Sequence, residues 1–123
     1  SNICTNHALC ALKGAIYLSL LGKKGLKKLA LINWKNAHDT RERLLRIKGV
    51  KDYSTEPFFN EFTLRLEHDE TRLKASFEKN KIIGPLALER FYPALKNIYL
   101  FAVTENRTPS DLGRLVKSIE EAA

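Results

Sequence analysis

The sequence predicts an α+β domain in which a small antiparallel sheet is covered by helices. Two observations carry this prediction. Apolar residues recur at helical spacing in the first part of the chain and again at its end. Between these parts the strand-like segments are few, short and close in sequence, as antiparallel pairing allows. The order of the strands does not follow from these observations.

Length and composition are those of a globular domain. The chain has 123 residues, of which 44% are hydrophobic and 28% charged, and this is enough for a real core. It starts at Ser1 and contains no Met, so we expect a processed product or an excised domain. The net charge of +7 allows an acidic partner or a nucleic acid, and it is equally typical of a solvated surface.

Several classes of protein do not fit the pattern. The longest apolar stretch, residues 8–21, has 14 residues and contains Lys13, whereas a membrane-spanning helix needs about 20 apolar residues. No basic segment precedes it, so a signal peptide is not expected. Cys4 and Cys10 are poorly aligned for a disulfide and are expected to be reduced. The histidines are scattered and form no metal-binding motif.

Two long helices are predicted first, over residues 6–21 and 24–47. Thr5 or Asn6 caps the first helix, and Gly22 ends it. The first helix is apolar on every side and therefore needs a covering neighbour, either a second domain or another subunit. The second helix carries a single inner stripe, with lysines and arginines elsewhere. This stripe consists of Leu26, Leu29, Asn33, Ala37, Leu44 and Ile47.

The period of the pattern then changes, which predicts the sheet. Residues 50–53 are a short strand candidate, and residues 58–66 alternate between apolar and polar side chains as a half-buried strand does. Residues 98–103 are nearly all apolar, as in a buried central strand. Residues 82–88 are either a loop or a short strand interrupted by a Gly-Pro pair.

Two shorter helices complete the expected fold. Asp69 caps a helix that runs to about Asn80. Residues Thr108–Asp111 combine a capping residue, a proline in the first turn and an acid three residues after the cap, so they start the last helix. Residues 50–121 are therefore expected to hold the sheet and its covering helices.

Four motifs follow one another along the chain. They are Ser1–Asn6; Gly49-Val50 with Pro57–Phe62; Ile82–Gly84 with Arg90–Pro93; and Val103–Glu105 with Thr108. In this order and at these spacings they resemble glycine decarboxylase, the pyridoxal-phosphate P-protein of the glycine cleavage system. The chain is similar to the C-terminal small domain of its first subunit, which also occurs in the N-terminal half of the fused form.

The resemblance implies a part of a fold-type-I pyridoxal-phosphate enzyme. The parent glycine dehydrogenase is a heterotetramer that decarboxylates glycine and passes the aminomethyl group to the lipoyl arm of H-protein, with the cofactor as the electron sink. The resemblance implies that the second subunit holds pyridoxal phosphate, so this chain alone is expected to be inactive. Its implied partners are the second P-protein subunit and the acidic, lipoylated H-protein, without nucleic acid or membrane, in the bacterial cytoplasm.

Five residues are candidates for the cleft or the junction between domains. The resemblance places Asn2, Cys4 and Thr5 at the junction, where they also suit an ordinary helix start. Asn60 is a polar residue on an apolar strand face and either faces the cleft or holds a neighbouring backbone. Glu105 follows the buried strand and either contacts a ligand or forms a salt bridge. No residue is assigned a catalytic, cofactor-binding or metal-binding role.

The alternative function is that of a basic α+β module that binds nucleic acid. The net charge allows it, and the side chains of Phe58, Phe59 and Phe62 would be candidates for stacking on bases. Against it, the basic residues are spread along helix faces and no RNA-recognition motif is present.

Overall fold

The structure is a computed structural model that describes residues 7–123. Contacts divide the chain into two units, Ser1–Ile32 and Asn33–Ala123, and each is described by itself. The elements in chain order are α1 (His7–Leu44), β1 (Val50–Asp52), β2 (Glu61–Leu66), α2 (Glu70–Lys79), β3 (Leu86–Ala87), β4 (Ile98–Ala102) and α3 (Pro109–Glu120). A 3₁₀ helix, Leu88–Arg90, follows β3. That residues 1–123 form one small domain of a longer chain stays a prediction.

Helix α1 is interrupted at Gly22, as the pattern predicts. This residue has a φ of 58° and a ψ of −178°, a conformation that glycine adopts far more readily than any residue with a Cβ atom. Before the interruption, the apolar side chains are exposed around the helix, and Leu20 is 82% exposed. The others are Leu9, Leu12, Ile16, Tyr17 and Leu18. No helix among residues 7–123 is long and apolar enough to cross a membrane.

The end of α1 lies three residues before its predicted position. The helix ends at Leu44 rather than at residue 47. The reason is a change of hydrogen bonding, because the amides of Arg46 and Ile47 donate to carbonyls three residues back, at 3.3 and 3.0 Å. Such bonds tighten the last turn. Gly49, with a φ of 82°, then carries the chain towards the sheet.

The C-terminal part of α1 contributes a buried stripe to the core of the second unit. Ala37, Thr40 and Leu44 are fully buried. The Thr40 hydroxyl donates to the carbonyl oxygen of Asn36 at 2.6 Å, so this polar group is satisfied inside the core. Leu26 was predicted to lie on the same stripe, but it belongs to the first unit and is 46% exposed. The prediction is wrong there.

The four strands form one antiparallel sheet in the order β1-β2-β4-β3, and the predicted α+β class is confirmed. β4 lies between β2 and β3, so the prediction of a central strand near residue 98 is also confirmed. The register pairs Phe62 with Phe101 and Leu64 with Tyr99. Residues opposite one another share a face of the sheet. Helices α2 and α3 add Leu73, Phe77, Leu112, Val116 and Ile119 to the same core.

The strand that was predicted over residues 58–66 begins later, at Glu61. Phe58 does not continue the strand, because its ring packs against His38 of α1, with 4.1 Å between the ring centroids. The neighbouring strands are shorter than predicted as well. β1 ends at Asp52, and the segment 82–88 contains a strand of only two residues.

Both predicted starts of the later helices are confirmed. The Asp69 carboxylate accepts a hydrogen bond from the Arg72 amide at 2.9 Å. At the start of α3, the Asp111 amide donates to the Thr108 hydroxyl oxygen at 3.2 Å, and the Thr108 amide donates to the Asp111 carboxylate at 2.9 Å. The hydrogen bonds from Thr108, assisted by Arg114, hold the pKa of Asp111 well below its usual range. The capping carboxylate therefore stays charged in weak acid.

A histidine follows β2 and packs against the turn after α1. A Cβ atom placed on Gly49 would lie 3.2 Å from Cε1 of His68. Both ring nitrogens of His68 are buried and have no hydrogen-bond partner of normal geometry among residues 7–123. Burial lowers the pKa of His68 from its ordinary value, and the nearby Lys48 carbonyl and Glu67 carboxylate only partly oppose this effect.

Acid should therefore weaken the fold through His68. The folded state favours the neutral ring, so the unfolded chain has the higher affinity for the proton. Below pH 6.5, the ordinary pKa of histidine, protonation therefore favours the unfolded chain. We expect the wild-type chain to lose more stability between about pH 7.5 and about pH 5.5 than His68→Phe loses. Urea unfolding at both pH values measures this difference. The control is His7→Gln, at an exposed position; equal losses for wild type and His68→Phe would contradict the assignment.

Candidate functional site

Two of the predicted site residues lie at the same end of the sheet. Glu61, the first residue of β2, pairs with Ala102, the last residue of β4. The pairing continues one step further, because the amide of Val103 donates to the carbonyl oxygen of Asn60 at 2.9 Å. Asn60 and Glu105, which are distant in sequence, are therefore brought to one sheet end.

A side chain of α1 completes this arrangement. Oδ1 of Asn33 accepts a hydrogen bond from the backbone amide of Glu105 at 2.6 Å. We call Asn33, Asn60 and Glu105 the strand-end cluster. Asn33 was predicted only as a member of an apolar stripe, and its side chain instead fixes the backbone that follows β4.

The carboxylate of Glu105 is available for a further contact. The residue is half-buried, and its carboxylate forms no ion pair within 4.0 Å in the part of the chain that the structure describes. The salt bridge considered from the sequence is thus not formed among residues 7–123. A role of Glu105 in contacting a ligand or a partner stays a prediction.

Of the other four candidate residues, the structure describes only Asn60. Asn60 is half-buried, and its backbone carbonyl accepts the hydrogen bond from the Val103 amide, a contact that does not involve the Asn60 side chain. A role in the cleft for its side chain stays a prediction. Asn2, Cys4 and Thr5 lie outside the described residues.

A row of aromatic rings next to the strand-end cluster was missed by the sequence analysis. Trp34 stacks on His38 with 4.1 Å between centroids, and His38 stacks on Phe58 at the same distance. The row continues through Phe62 to Phe101, at 5.4 and 5.3 Å. Trp34 and His38 are four residues apart on a helix, a spacing that brings side chains together. No signal in the sequence points to Phe58 as the next member.

Arg41 connects this row of rings to the edge strand β1 through an ion pair. Its Nε donates to Oδ1 of Asp52 at 3.0 Å, and Nη2 donates to Oδ2. Its guanidinium carbon lies 5.6 Å from the centroid of the Phe58 ring. A bidentate pair of this kind fixes the guanidinium plane, and Phe58 contacts both Arg41 and His38.

Hydrogen bonds, stacked rings and an ion pair hold this arrangement together. No group of three His, Cys, Asp or Glu residues that could hold a metal ion is present among residues 7–123. Of the three rings considered for stacking on bases, Phe62 is buried and Phe58 is stacked on His38, whereas Phe59 is 49% exposed. The nucleic-acid alternative stays a prediction.

Residues 1–119 match the model of one protein family, described as the glycine cleavage system P-protein. The chain belongs to this family. The P-protein assignment agrees with the four motifs, and the match covers both units of the chain.

Individual P-proteins show the same relationship. The probable glycine dehydrogenase (decarboxylating) subunit 1 of Desulfitobacterium hafniense is 44% identical over 121 residues, which are 98% of this chain and 27% of that protein. The protein of the same name from Rhodospirillum rubrum is 43% identical over an alignment of 124 positions, which covers 98% of this chain and 28% of that protein. The chain thus spans about 27% of the length of the curated relatives it matches.

A solved P-protein structure has the same fold. The crystal structure of glycine decarboxylase (P-protein) of the glycine cleavage system, in inhibitor-bound form, superposes with a TM-score of 0.80 and 36% sequence identity. The alignment covers 100% of this chain and 28% of that chain. The expected likeness to a small domain of a P-protein is therefore confirmed at the level of fold.

The described residues do not fit a pyridoxal-phosphate site of their own. A Schiff base requires a lysine that is held in a pocket and partly desolvated. Every lysine among residues 7–123 is exposed. Lys74, which lies beside a cavity, forms an ion pair with Glu70 at 2.6 Å, and this contact raises the pKa of Lys74. A raised pKa is the opposite of what an amine nucleophile needs.

Removal of the Asn33 side chain should loosen the strand-end cluster. In Asn33→Ala the amide of Glu105 loses its acceptor in a half-buried position, which costs about 1 kcal/mol of stability. Thermal unfolding should show a lower Tm than for wild type. The matched control is Asn106→Ala, next to Glu105 and exposed, which should unfold like wild type. Equal Tm values for the two variants would show that the hydrogen bond does not stabilise the fold.

Proposed function

We propose that this chain forms the C-terminal small domain of subunit 1 of a glycine cleavage P-protein. The whole enzyme decarboxylates glycine and passes the aminomethyl group to the lipoyl arm of H-protein. The observation that carries the proposal is the match of residues 1–119 to the P-protein family. Relatives named subunit 1 support the choice of subunit.

In this proposal the chain has a supporting role in the enzyme, and the second subunit holds pyridoxal phosphate. The exposure of every described lysine supports this division of labour. The strand-end cluster, with the predicted junction residues Asn2, Cys4 and Thr5, would border the cleft. The carboxylate of Glu105 forms no ion pair among residues 7–123, which supports a contact across that cleft.

The partner that the proposal requires is a second P-protein subunit, in a heterotetramer in the bacterial cytoplasm. The exposed apolar side chains before Gly22 support a covering partner, since stable monomers rarely expose a patch of more than a few hundred Å². Leu9, Leu12 and Ile16 are each more than half exposed. Burial of such residues is typical of obligate interfaces.

The proposal is tested by comparing the 123-residue chain with the complete two-subunit enzyme. The complete enzyme should exchange the carboxyl group of glycine with bicarbonate, whereas the chain alone should not. With pyridoxal phosphate added, the chain alone should show no aldimine absorbance near about 400 nm that borohydride removes. A reducible band on the isolated chain would refute the supporting role. A complete enzyme without exchange activity would refute the enzyme assignment itself.

H-protein is the proposed acidic partner, and the lysines after Gly22 are proposed to steer it. Lys23, Lys24, Lys27 and Lys28 are all exposed. They lie near the start of the second part of α1, where the helix dipole disfavours positive charge by a few tenths of a kcal/mol each. Opposite charges accelerate the encounter of two proteins more than they tighten the complex. A cost in stability at these positions supports a role of the four lysines in steering H-protein.

Steering predicts a specific dependence on salt. In the complete enzyme, replacement of these four lysines by Gln should slow the reaction with H-protein at low ionic strength. The rate should converge with wild type at high salt, where the Debye length falls from about 30 Å to about 3 Å. The matched control replaces four other exposed lysines, Lys13, Lys35, Lys48 and Lys96, with the same change of charge. Identical salt profiles for both quadruple variants would remove a specific role for the four proposed lysines.

A further inference from the structure

Strand β3 pairs with only part of one edge of β4. The pairing between these strands consists of Leu86 with Leu100 and Ala87 with Tyr99. It stops at Leu86, the first residue of β3. Ala102 therefore lies beyond Leu100, the last residue of β4 on this side that pairs with β3.

The backbone of Ala102 points towards this open edge. In an antiparallel strand, successive residues direct their amides and carbonyls to opposite edges. The amide of Val103 donates to Asn60 on the β2 side, so the amide and the carbonyl of Ala102 face the other side. Ala102 itself is exposed. Among residues 7–123 this edge of β4 is unpaired beyond Leu100, and an unpaired strand edge is a template for a further extended segment.

A groove runs along the open edge. It has a volume of about 590 Å³ and is bordered by Lys81, Ile82, Leu86, Ala102, Arg107 and Leu115. Leu86 is 43% exposed, and the adjacent Ile83 is fully exposed. The groove thus offers apolar surface next to unpaired backbone groups, which are the two features that strand addition uses.

The rim of the groove is positively charged. Arg114 donates to the carboxylate of Asp111 at 2.6 Å, so the charges of these two residues compensate one another. Lys81 and Arg107 are exposed and form no ion pair within 4.0 Å in the described part of the chain. Two uncompensated cations therefore face whatever occupies the groove.

We propose that this groove binds an acidic, extended segment of a partner polypeptide, which adds a strand to the open edge of β4. The backbone of the segment pairs with Ala102, its apolar side chains contact Leu86 and Leu115, and its carboxylates face Lys81 and Arg107. The inference does not depend on the reaction of the parent enzyme, because it rests on the geometry of the second unit alone.

The first test uses a synthetic probe, an acetylated hexapeptide amide of alternating Val and Glu. Titration of the ¹⁵N-labelled 123-residue chain should give saturable shifts of the Ala102 amide. A peptide of alternating Val and Lys should bind far more weakly. Two further peptides carry N-methyl groups on the odd or on the even residues, and one of these two should lose binding because it cannot pair with the edge.

Variants of the protein separate backbone pairing from charge. Ala102→Pro removes the outward amide and should weaken binding of the Val-Glu peptide roughly fivefold, as expected for one hydrogen bond. The double variant Lys81→Gln with Arg107→Gln should also weaken it and should lower its dependence on salt. The matched control, Lys48→Gln with Lys96→Gln, should bind like wild type. Binding that neither N-methylation nor Ala102→Pro changes would overturn the proposal, and so would an absence of saturable binding.

A second measurement uses the complete P-protein and does not depend on the isolated chain. A photoreactive amino acid at position 83, next to the groove, is cross-linked in the purified enzyme and the products are mapped by mass spectrometry. The proposal expects a cross-link to an extended segment that contains acidic residues. A cross-link to an apolar helix, or none at all, would overturn it.

Discussion

The pairing of β2 with β4 is the interaction on which the rest of the second unit depends. It places Phe62 beside Phe101 and Leu64 beside Tyr99, and these side chains form the layer on which α2 and α3 pack. A shift of the register by one residue would turn one strand's apolar residues away from the helices. The same pairing ends in the bond between Val103 and Asn60, so it also determines where the strand-end cluster forms.

The parts of the fold that depend on neighbouring residues could be predicted from the sequence. The caps at Asp69 and Thr108 and the interruption at Gly22 are properties of a few adjacent residues, and all three are found where the pattern indicates. The end of α1 and the start of β2 could not be predicted. Phe58 alternates correctly with the strand that follows it, yet the stacking against His38 from a distant helix decides its position.

The candidate site, too, could be predicted only where the signal is local in the sequence. Asn60 and Glu105 stood out because each is a polar residue beside an apolar strand, and this local signal led to two residues that the structure brings to one sheet end. Asn33 gave no such signal, because a single polar residue within an apolar stripe does not reveal its partner. Its hydrogen bond to the amide of Glu105 depends on how a helix and a strand end meet, which only the folded chain determines.

The aromatic row also gives the protein an optical reporter. Trp34 is the single tryptophan of the chain, and its indole lies against the imidazole of His38, which in turn lies against Phe58. The emission of the indole therefore depends on contacts that join a helix, a loop and the sheet. Fluorescence at this one position follows the assembly of the second unit without any attached dye, and it does so separately from the helix before Gly22, which contains no tryptophan.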